Sequence, residues 1–466
     1  MSNGILIIIF FAGMLCIGYF SSKKITGIEG FYTGNRSGGV MVIAGSLLAT
    51  IVWGSGTLGL AGLGFSQGLT GAWWLLAGVP GLVFLGVFFA RKIHSCGVYT
   101  LPGVLERQYG SRAVKITASL LISVSWLGII AGQIIAAGKV LSAVWPGSTM
   151  QIIVAVGTVI TLYTALGGQY SILRTDAVQM LIITVGIIIC GIAAYHTVGG
   201  IQGLSASLPE GHLSFPLSPD FGEGMLVYYL FFVGATFFAG PDMYSRVFCA
   251  DSPETAKKSL LLAAAGIIPV AAVIVFTGMS ARVLFPGIGA EDALPTLVAE
   301  LLPAGISGLV LAALLAALMS SADTCLMTAS MILAGDVIGS AGKNPLPENR
   351  QLFLTRMMIL LLGGCSVAIA LYYRNIISAL LLAYTVYAAA VLVPLTAGFF
   401  AEKLRLHPAG ALVSVIVSGS LGLFLTLAGH RGPVLVVCFP VSGFVLFTVS
   451  FVFRRWISTP ACNKNV

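Results

Sequence analysis

Long apolar runs dominate the chain, separated by short clusters of Lys, Arg, Asp and Pro. They fall roughly at 4–21, 38–65, 71–91, 114–143, 149–167, 173–198, 224–247, 258–283, 304–338, 352–373, 376–400, 407–429 and 432–453, most near or above the ~20 residues that cross a hydrocarbon core of about 30 Å as a helix. A transmembrane barrel would need short alternating segments, and these runs are continuous. The pattern predicts an all-α polytopic membrane protein with about 13 transmembrane helices. Composition agrees: 58% of residues are hydrophobic and 9% charged, against about 25% charged in soluble domains.

The polar breaks carry orientation. No Lys or Arg precedes the first run, whereas Lys23 and Lys24 follow it, which argues against a signal peptide and places the N-terminus outside. With that start, all but Lys139, Arg282, Arg374 and Arg431 of the 24 basic residues fall on the inner side, and the C-terminus is cytoplasmic. The net charge of +8 is therefore mostly topology information. No basic run exceeds two residues, so nucleic acid is not an expected partner. The reading is an integral protein of the plasma (inner) membrane, one transmembrane domain spanning 1–466.

Cys16, Cys96, Cys190, Cys249, Cys325, Cys365, Cys438 and Cys462 form no CxxC pair, and no disulfide framework or metal knuckle is expected. The five histidines, His94, His196, His212, His407 and His430, sit at run ends or in loops. No nucleophile, base and orienting group converge, which disfavours an enzyme. No Gly-rich phosphate loop follows a strand, so ATP coupling is not expected. Uphill transport would draw on an ion gradient.

Three features interrupt the apolar pattern inside the runs. Gly54, Gly56 and Gly59 crowd the second run, each costing a helix about 1 kcal/mol relative to Ala. The seventh run breaks at Gly240-Pro241, because proline removes a helix donor. A helix broken at membrane depth is tolerated where its free carbonyls and N–H groups line a cavity, and interruptions five runs apart fit two inverted five-helix repeats. The third feature lies between Leu309 and Ile338. There Ala317, Ser320, Ser321 and Thr324 stand at i, i+3, i+4 and i+7 on one helix face, with Asp323 beside it. A centrally placed Asp costs roughly 2.5–3.5 kcal/mol on insertion scales and usually marks an ion or substrate path. Hard oxygen donors suit Na⁺ or a proton better than a transition metal. The competing reading of both the stripe and the glycines is close packing of helices through small residues.

Several segments together resemble the sodium:solute symporter family, from about Gly30 to Glu402. They are Gly30-Phe31-Tyr32-Thr33-Gly34-Asn35-Arg36, the stretch Gly167-Gly168 to Thr175-Asp176-Ala177-Val178-Gln179, Arg246 closing the seventh run with Ser245 where a Gln is usual, and Ser320-Ser321-Ala322-Asp323-Thr324. The proline, pantothenate and choline branches are the nearest in shape. The resemblance implies a five-plus-five inverted-repeat core at 38–402, an extra N-terminal helix and inner loop in 1–37, and two extra C-terminal helices with a tail in 403–466. It also implies Na⁺-coupled symport of a small polar organic solute by alternating access, with Na⁺ as the coupling ion and no other cofactor. The Na⁺ site carried over comprises the carbonyls of Ala49, Val52 and Ala317 with the hydroxyls of Ser320 and Ser321. A second Na⁺ site would use Asp176 with Asp323 and Thr324, although the family pattern prefers a hydroxyl where this chain has Asp323. Arg174 is expected to pair with Asp176.

By the same resemblance the solute lies against the broken helices. The candidates are Thr50, Trp53, Gly54, Ser55, Gly56, Trp74, Trp126, Gln133, Phe237 and Tyr387. Backbone N–H groups at Gly54-Ser55-Gly56 would favour a carboxylate, whereas the aromatic side chains would favour a quaternary amine. The proline branch would have an Asp in the second run, absent here, and the choline branch a Trp where Asp242 follows Pro241. Two other function classes compete. A passive solute channel would need a continuous polar file, but the polar residues cluster at one depth. A membrane sensor built on the same fold would need a partner kinase chain.

Overall fold

The computed structural model describes residues 2–25, 27–142, 145, 147–340, 342, 346–372, 376–429 and 434–456. Lys343, Arg374, His430, Arg431, Cys462 and Lys464 lie outside them. Helices account for nearly all of it, and among the described residues the only β pairings are isolated bridges. In chain order they are α1 (Ser2–Ser22), α2 (Gly27–Thr33), α3 (Val40–Ile51), α4 (Leu60–Gln67), α5 (Trp73–Leu76), α6 (Gly78–Phe84), α7 (Ala90–His94), α8 (Leu101–Tyr109), α9 (Arg112–Ser142) and α10 (Thr149–Val198). There follow α11 (Gly200–Ser207), α12 (Glu223–Ala239), α13 (Pro241–Cys249), α14 (Pro253–Leu284), α15 (Ala293–Leu301) and α16 (Ile306–Met331). The last are α17 (Glu348–Tyr372), α18 (Ile376–Gly398), α19 (Ala401–Leu404), α20 (Pro408–Leu427) and α21 (Val434–Trp456).

Among the described residues nine helices are long and apolar enough to cross a membrane, or ten when the bent pair α12–α13 counts as one. The runs at 149–167 and 173–198, expected as two helices, are two helices under one label, α10, because Gly168 (φ 51°, ψ −161°) breaks the helical geometry between them and the Tyr163 hydroxyl folds back to within 2.5 Å of the Thr175 hydroxyl. Gly168 is required there twice over: a Cβ would sit 2.6 Å from the Phe31 ring, and positive φ disfavours other residues. The second run is split, with α3 ending at Ile51 and a wide π turn at Ser55–Gly59 leading into α4. The glycine cluster therefore interrupts the helix where expected.

The stripe-bearing helix α16 is the hub. Nearly all of its length is buried, and it packs against α10, α9, α3 and α13. Small residues permit this. A Cβ on Gly186 of α10 would come within 2.4 Å of Ala313, a close backbone approach typical of membrane helices. The start of α3 is tied to the end of α13: Gly38 N–H donates to the Cys249 carbonyl at 3.1 Å, and Asp251 N–H donates to the Gly38 carbonyl at 3.0 Å.

Candidate functional site

The end of α3 leaves carbonyls without intrahelical donors, and α16 supplies hydroxyls to them. Ser320 Oγ donates to the Ala49 carbonyl at 2.8 Å and lies 3.1 Å from the Ala317 carbonyl. Ser321 Oγ donates to the Thr50 carbonyl at 2.8 Å and lies 3.2 Å from the same Ala317 carbonyl. Val52 terminates α3 at φ −82°, ψ 34°, turning its carbonyl out of the helical path. All of these residues are buried. Ser320 and Ser321 thus bring neutral oxygens of α16 against the Ala49 and Thr50 carbonyls of α3, a donor type that suits a hard monovalent cation.

Beside it lies a charged network. Arg246, fully buried on α13, donates from Nη2 to Asp176 Oδ2 (2.8 Å) and to Thr50 Oγ1 (3.0 Å), and from Nε to Ser46 Oγ (2.9 Å). It also donates to the Thr324 hydroxyl. Ser46 Oγ in turn donates to Asp176 Oδ2 at 2.5 Å, while Asp176 Oδ1 has no partner among the described residues. Asp323 accepts from Tyr163 at 2.7 Å, and Tyr163 Oη lies 2.5 Å from the Thr175 hydroxyl. The guanidinium thus occupies part of the ground that Asp176 and Thr324 were expected to offer a second Na⁺. Arg174 does not pair with Asp176. It donates to the Tyr170 hydroxyl and stacks over that ring at 4.3 Å, because it lies half a helical turn away from the buried face that carries Asp176.

Between the two broken helices sit two small cavities of about 10 Å³ each, room for about one water. Thr50, Trp53, Thr236, Phe237, Asp242, Met243, Tyr384 and Tyr387 line the first. Trp53, Trp74, Phe232, Phe237 and Tyr384 contribute to the second. Both are too small in this conformation to hold an organic solute. A larger cavity of about 530 Å³ lies elsewhere, walled by apolar side chains of α1 and the facing ends of α9 and α10. It brings no charged group to a solute.

Of the expected solute residues, Thr50, Trp53, Trp74, Phe237 and Tyr387 line these cavities. Trp126 meets the Tyr387 ring edge-on at 6.3 Å. Trp74 Nε1 lies 3.4 Å from Ser55 Oγ. Gly54 N–H is already taken by Gln133 Oε1 at 3.0 Å, and its missing side chain makes room for Leu318. At Gly56 the space is filled by the Ile51 carbonyl and Trp53. Sequence reasoning did not nominate Ser46, Tyr163, Thr175, Thr236, Asp242, Met243 or Tyr384 for a site. Asp242 carried a signal, as a carboxylate directly after the proline that opens a half-helix. Tyr163 carried none.

Paired broken helices around small, largely apolar cavities, within a bundle of membrane-length helices, define a secondary-transporter fold. The sodium:solute symporter family profile matches residues 31–418; the chain belongs to that family, whose members are transporters rather than enzymes. It is 25% identical over 410 residues to the sodium/glucose cotransporter 1 of Oryctolagus cuniculus, covering 78% of this chain and 62% of that one. It is 28% identical over 378 residues to the sodium/myo-inositol cotransporter 2 of Rattus norvegicus, covering 72% of this chain and 56% of that one. The chain therefore spans about three fifths of the length of these curated relatives. A solved Na⁺-coupled sialic acid symporter, in a substrate-bound outward-open state, superposes with a TM-score of 0.84 at 17% identity over 97% of this chain and 98% of its own.

Proposed function

We propose that the protein is a secondary active transporter that couples inward Na⁺ movement to uptake of a small polar organic solute by alternating access. The observation that carries this is the meeting of Ser320 and Ser321 with the carbonyls at the broken end of α3. The ligands in this reading are the Ala49, Val52 and Ala317 carbonyls and the two hydroxyls. Because they belong to two helices, an ion between them draws α3 and α16 together, and its release lets them part. Asp176, Asp323 and Thr324 form the second ion locus, shared with Arg246. The relatives' named solutes, glucose, myo-inositol and sialic acid, are small polar organic molecules, the general class proposed here.

The same reading assigns 13 spans, ten of them in a five-plus-five inverted-repeat core at 38–402, with flanking segments 1–37 and 403–466. It places the protein in the plasma (inner) membrane with the N-terminus outside and the C-terminus in the cytoplasm. Solute, Na⁺ and lipid are its partners, and ATP and nucleic acid are not.

Proteoliposomes carrying the purified protein test this. Uptake of a solute found by thermal-shift screening is measured under Na⁺, Li⁺ and choline chloride gradients at fixed pH. Uptake that saturates with Na⁺ supports the reading, and equal rates with and without Na⁺ end it.

A further inference from the structure

Four observations converge on the cavity between α3 and α13. Its wall contains one carboxylate, that of Asp242. Asp242 sits in the first turn of α13 and belongs to no ion pair among the described residues. Aromatic rings form half of the remaining wall, with Thr50, Ile51, Thr236 and Met243 forming the other half: Trp53 packs on Tyr384 with ring centroids 4.9 Å apart, Tyr384 on Tyr387 at 5.9 Å, and Phe237 stands beside them. Two of these aromatic side chains carry polar atoms with nothing to bond. Trp53 Nε1 and the Tyr384 hydroxyl are buried and unpartnered among the described residues, although such groups usually find a partner when buried.

Charge balance adds to this. Arg246 follows Asp242 by one helical turn, but its hydrogen bonds go to Asp176, Ser46, Thr50, Ser245 and Thr324. One guanidinium faces three carboxylates, those of Asp176, Asp323 and Asp242. A monovalent ion at the α3–α16 break offsets one further charge and leaves Asp242 to be met by something else.

We infer that Asp242 is the specificity-determining residue for the solute, and that the solute is a small organic cation that also carries an oxygen acceptor. The cationic nitrogen lies against Asp242, with the Trp53, Phe237, Tyr384 and Tyr387 rings around it; aromatic faces attract a desolvated cation. The oxygen accepts from Trp53 Nε1 and the Tyr384 hydroxyl. A neutral polyol would cover the partly exposed Asp242 carboxylate without giving it a counter-charge, and an anion would be repelled by it. This inference names the solute class of the transport reading above and rests on it.

The test uses the purified full-length protein in detergent, with calorimetry and thermal unfolding in Na⁺ and in K⁺ buffers. The probes are ethanolamine and choline as hydroxylated cations, myo-inositol as a neutral polyol and lactate as an anion. Binding of at least one of the two cations, with myo-inositol and lactate weaker, is the expected result. Asp242→Asn should weaken the bound cation by about tenfold to a hundredfold, the range lost with one charged contact. Asp242→Glu should recover part of it, and both variants should keep the stabilisation given by Na⁺ alone, showing that they fold. Tighter binding of myo-inositol or lactate, no binding of either cation, or cation affinity unchanged in Asp242→Asn overturns the assignment. Cation binding that is indifferent to Na⁺ would instead sink the symport reading and leave Asp242 standing. Na⁺ stabilisation without cation binding would do the reverse.

Discussion

Arg246 Nη2 lies 2.8 Å from Asp176 Oδ2, and neither side chain has any exposed surface. The pair bolts the short helix after the α12 break to the middle of α10. Removing one member of such a pair costs about 3–5 kcal/mol, because the other charge stays buried and unpaired. Arg246→Met should therefore lower the thermal midpoint far more than Arg246→Met combined with Asp176→Asn. A double variant no more stable than the single one would show that Arg246 matters to the fold through its hydroxyl partners and not through its charge.

Ser320→Ala and Ser321→Ala each delete one expected ion ligand and one donor to a break carbonyl. Each should raise the half-saturating Na⁺ concentration several-fold while costing about 1 kcal/mol of stability, the net value of one hydrogen bond. Na⁺ titrations followed by tryptophan fluorescence would measure the first and thermal unfolding the second. Unaltered Na⁺ dependence in both variants would make the stripe a packing face.

Tyr163→Phe removes the donor that faces Asp323. A buried carboxylate left with weaker partners should cost about 1–3 kcal/mol. Asp323→Ser, which restores the hydroxyl expected at that position, should suffer less and keep Na⁺-coupled uptake. Charge moved per solute, measured on supported membranes, would separate a stability role from an ionic one. A folded Asp323→Ser protein with no transport would make Asp323 an indispensable ligand or proton carrier.

Gly54→Ala would place a methyl 2.7 Å from Leu318 Cδ2 and 3.1 Å from Gln133 Oε1. It should force the α3 and α16 break surfaces apart, costing about 1–3 kcal/mol by overpacking. Because this glycine faces packed protein, the loss should appear in Na⁺ binding as well as in solute binding. Calorimetry for both ligands would check this; a selective loss of solute affinity would mean that solute approaches the glycine directly.

The loop joining α11 to α12 should respond to acid. The His212 carbonyl accepts from Leu69 N–H at 2.8 Å, and Gly68 (φ +70°) lies against the His212 backbone. Trp73 donates to the Pro216 carbonyl at 2.9 Å and stacks on Phe215. Burial holds the His212 imidazole below its usual value of 6.5, with Arg282 acting in the same sense and the Phe65 backbone and Asp220 opposing. The folded state then binds fewer protons than the unfolded one just below pH 6.5, so the clasp is intact above that pH and loosens as pH falls beneath it. Hydrogen-exchange protection across 208–222, taken relative to the base-catalysed intrinsic rate at each pH, should fall at pH 5.5 relative to 7.5, and His212→Gln should flatten the response.

The sequence made the helical class plain, because membrane length and polarity are written directly in composition. It also located both helix breaks, since Gly54-Gly56 and Gly240-Pro241 act on the backbone locally. The Ser320/Ser321 stripe was readable because helical spacing puts its members on one face. What was not readable depends on which distant helices meet. Arg246 reaches Asp176 across 70 positions and Tyr163 reaches Asp323 across 160, distances that no periodicity encodes. Arg174, only two residues from Asp176, was the nearer partner in sequence and the wrong one in space. Gly54 and Gly56 look alike as openings for a ligand, and only packing shows that protein atoms already fill them.

The nine residues of α13 hang from the chain at Gly240, where the two helices meet at a bend of 41°. Asp242 faces the cavity from the first turn of that stub, and Arg246 grips Asp176 and Thr50 from the next. A tug on one end is therefore felt at the other without relay through the bundle. Ion and solute would be geared to one lever, and loosening the gear at Gly240 should make the transporter slip, spending its ion gradient without moving cargo.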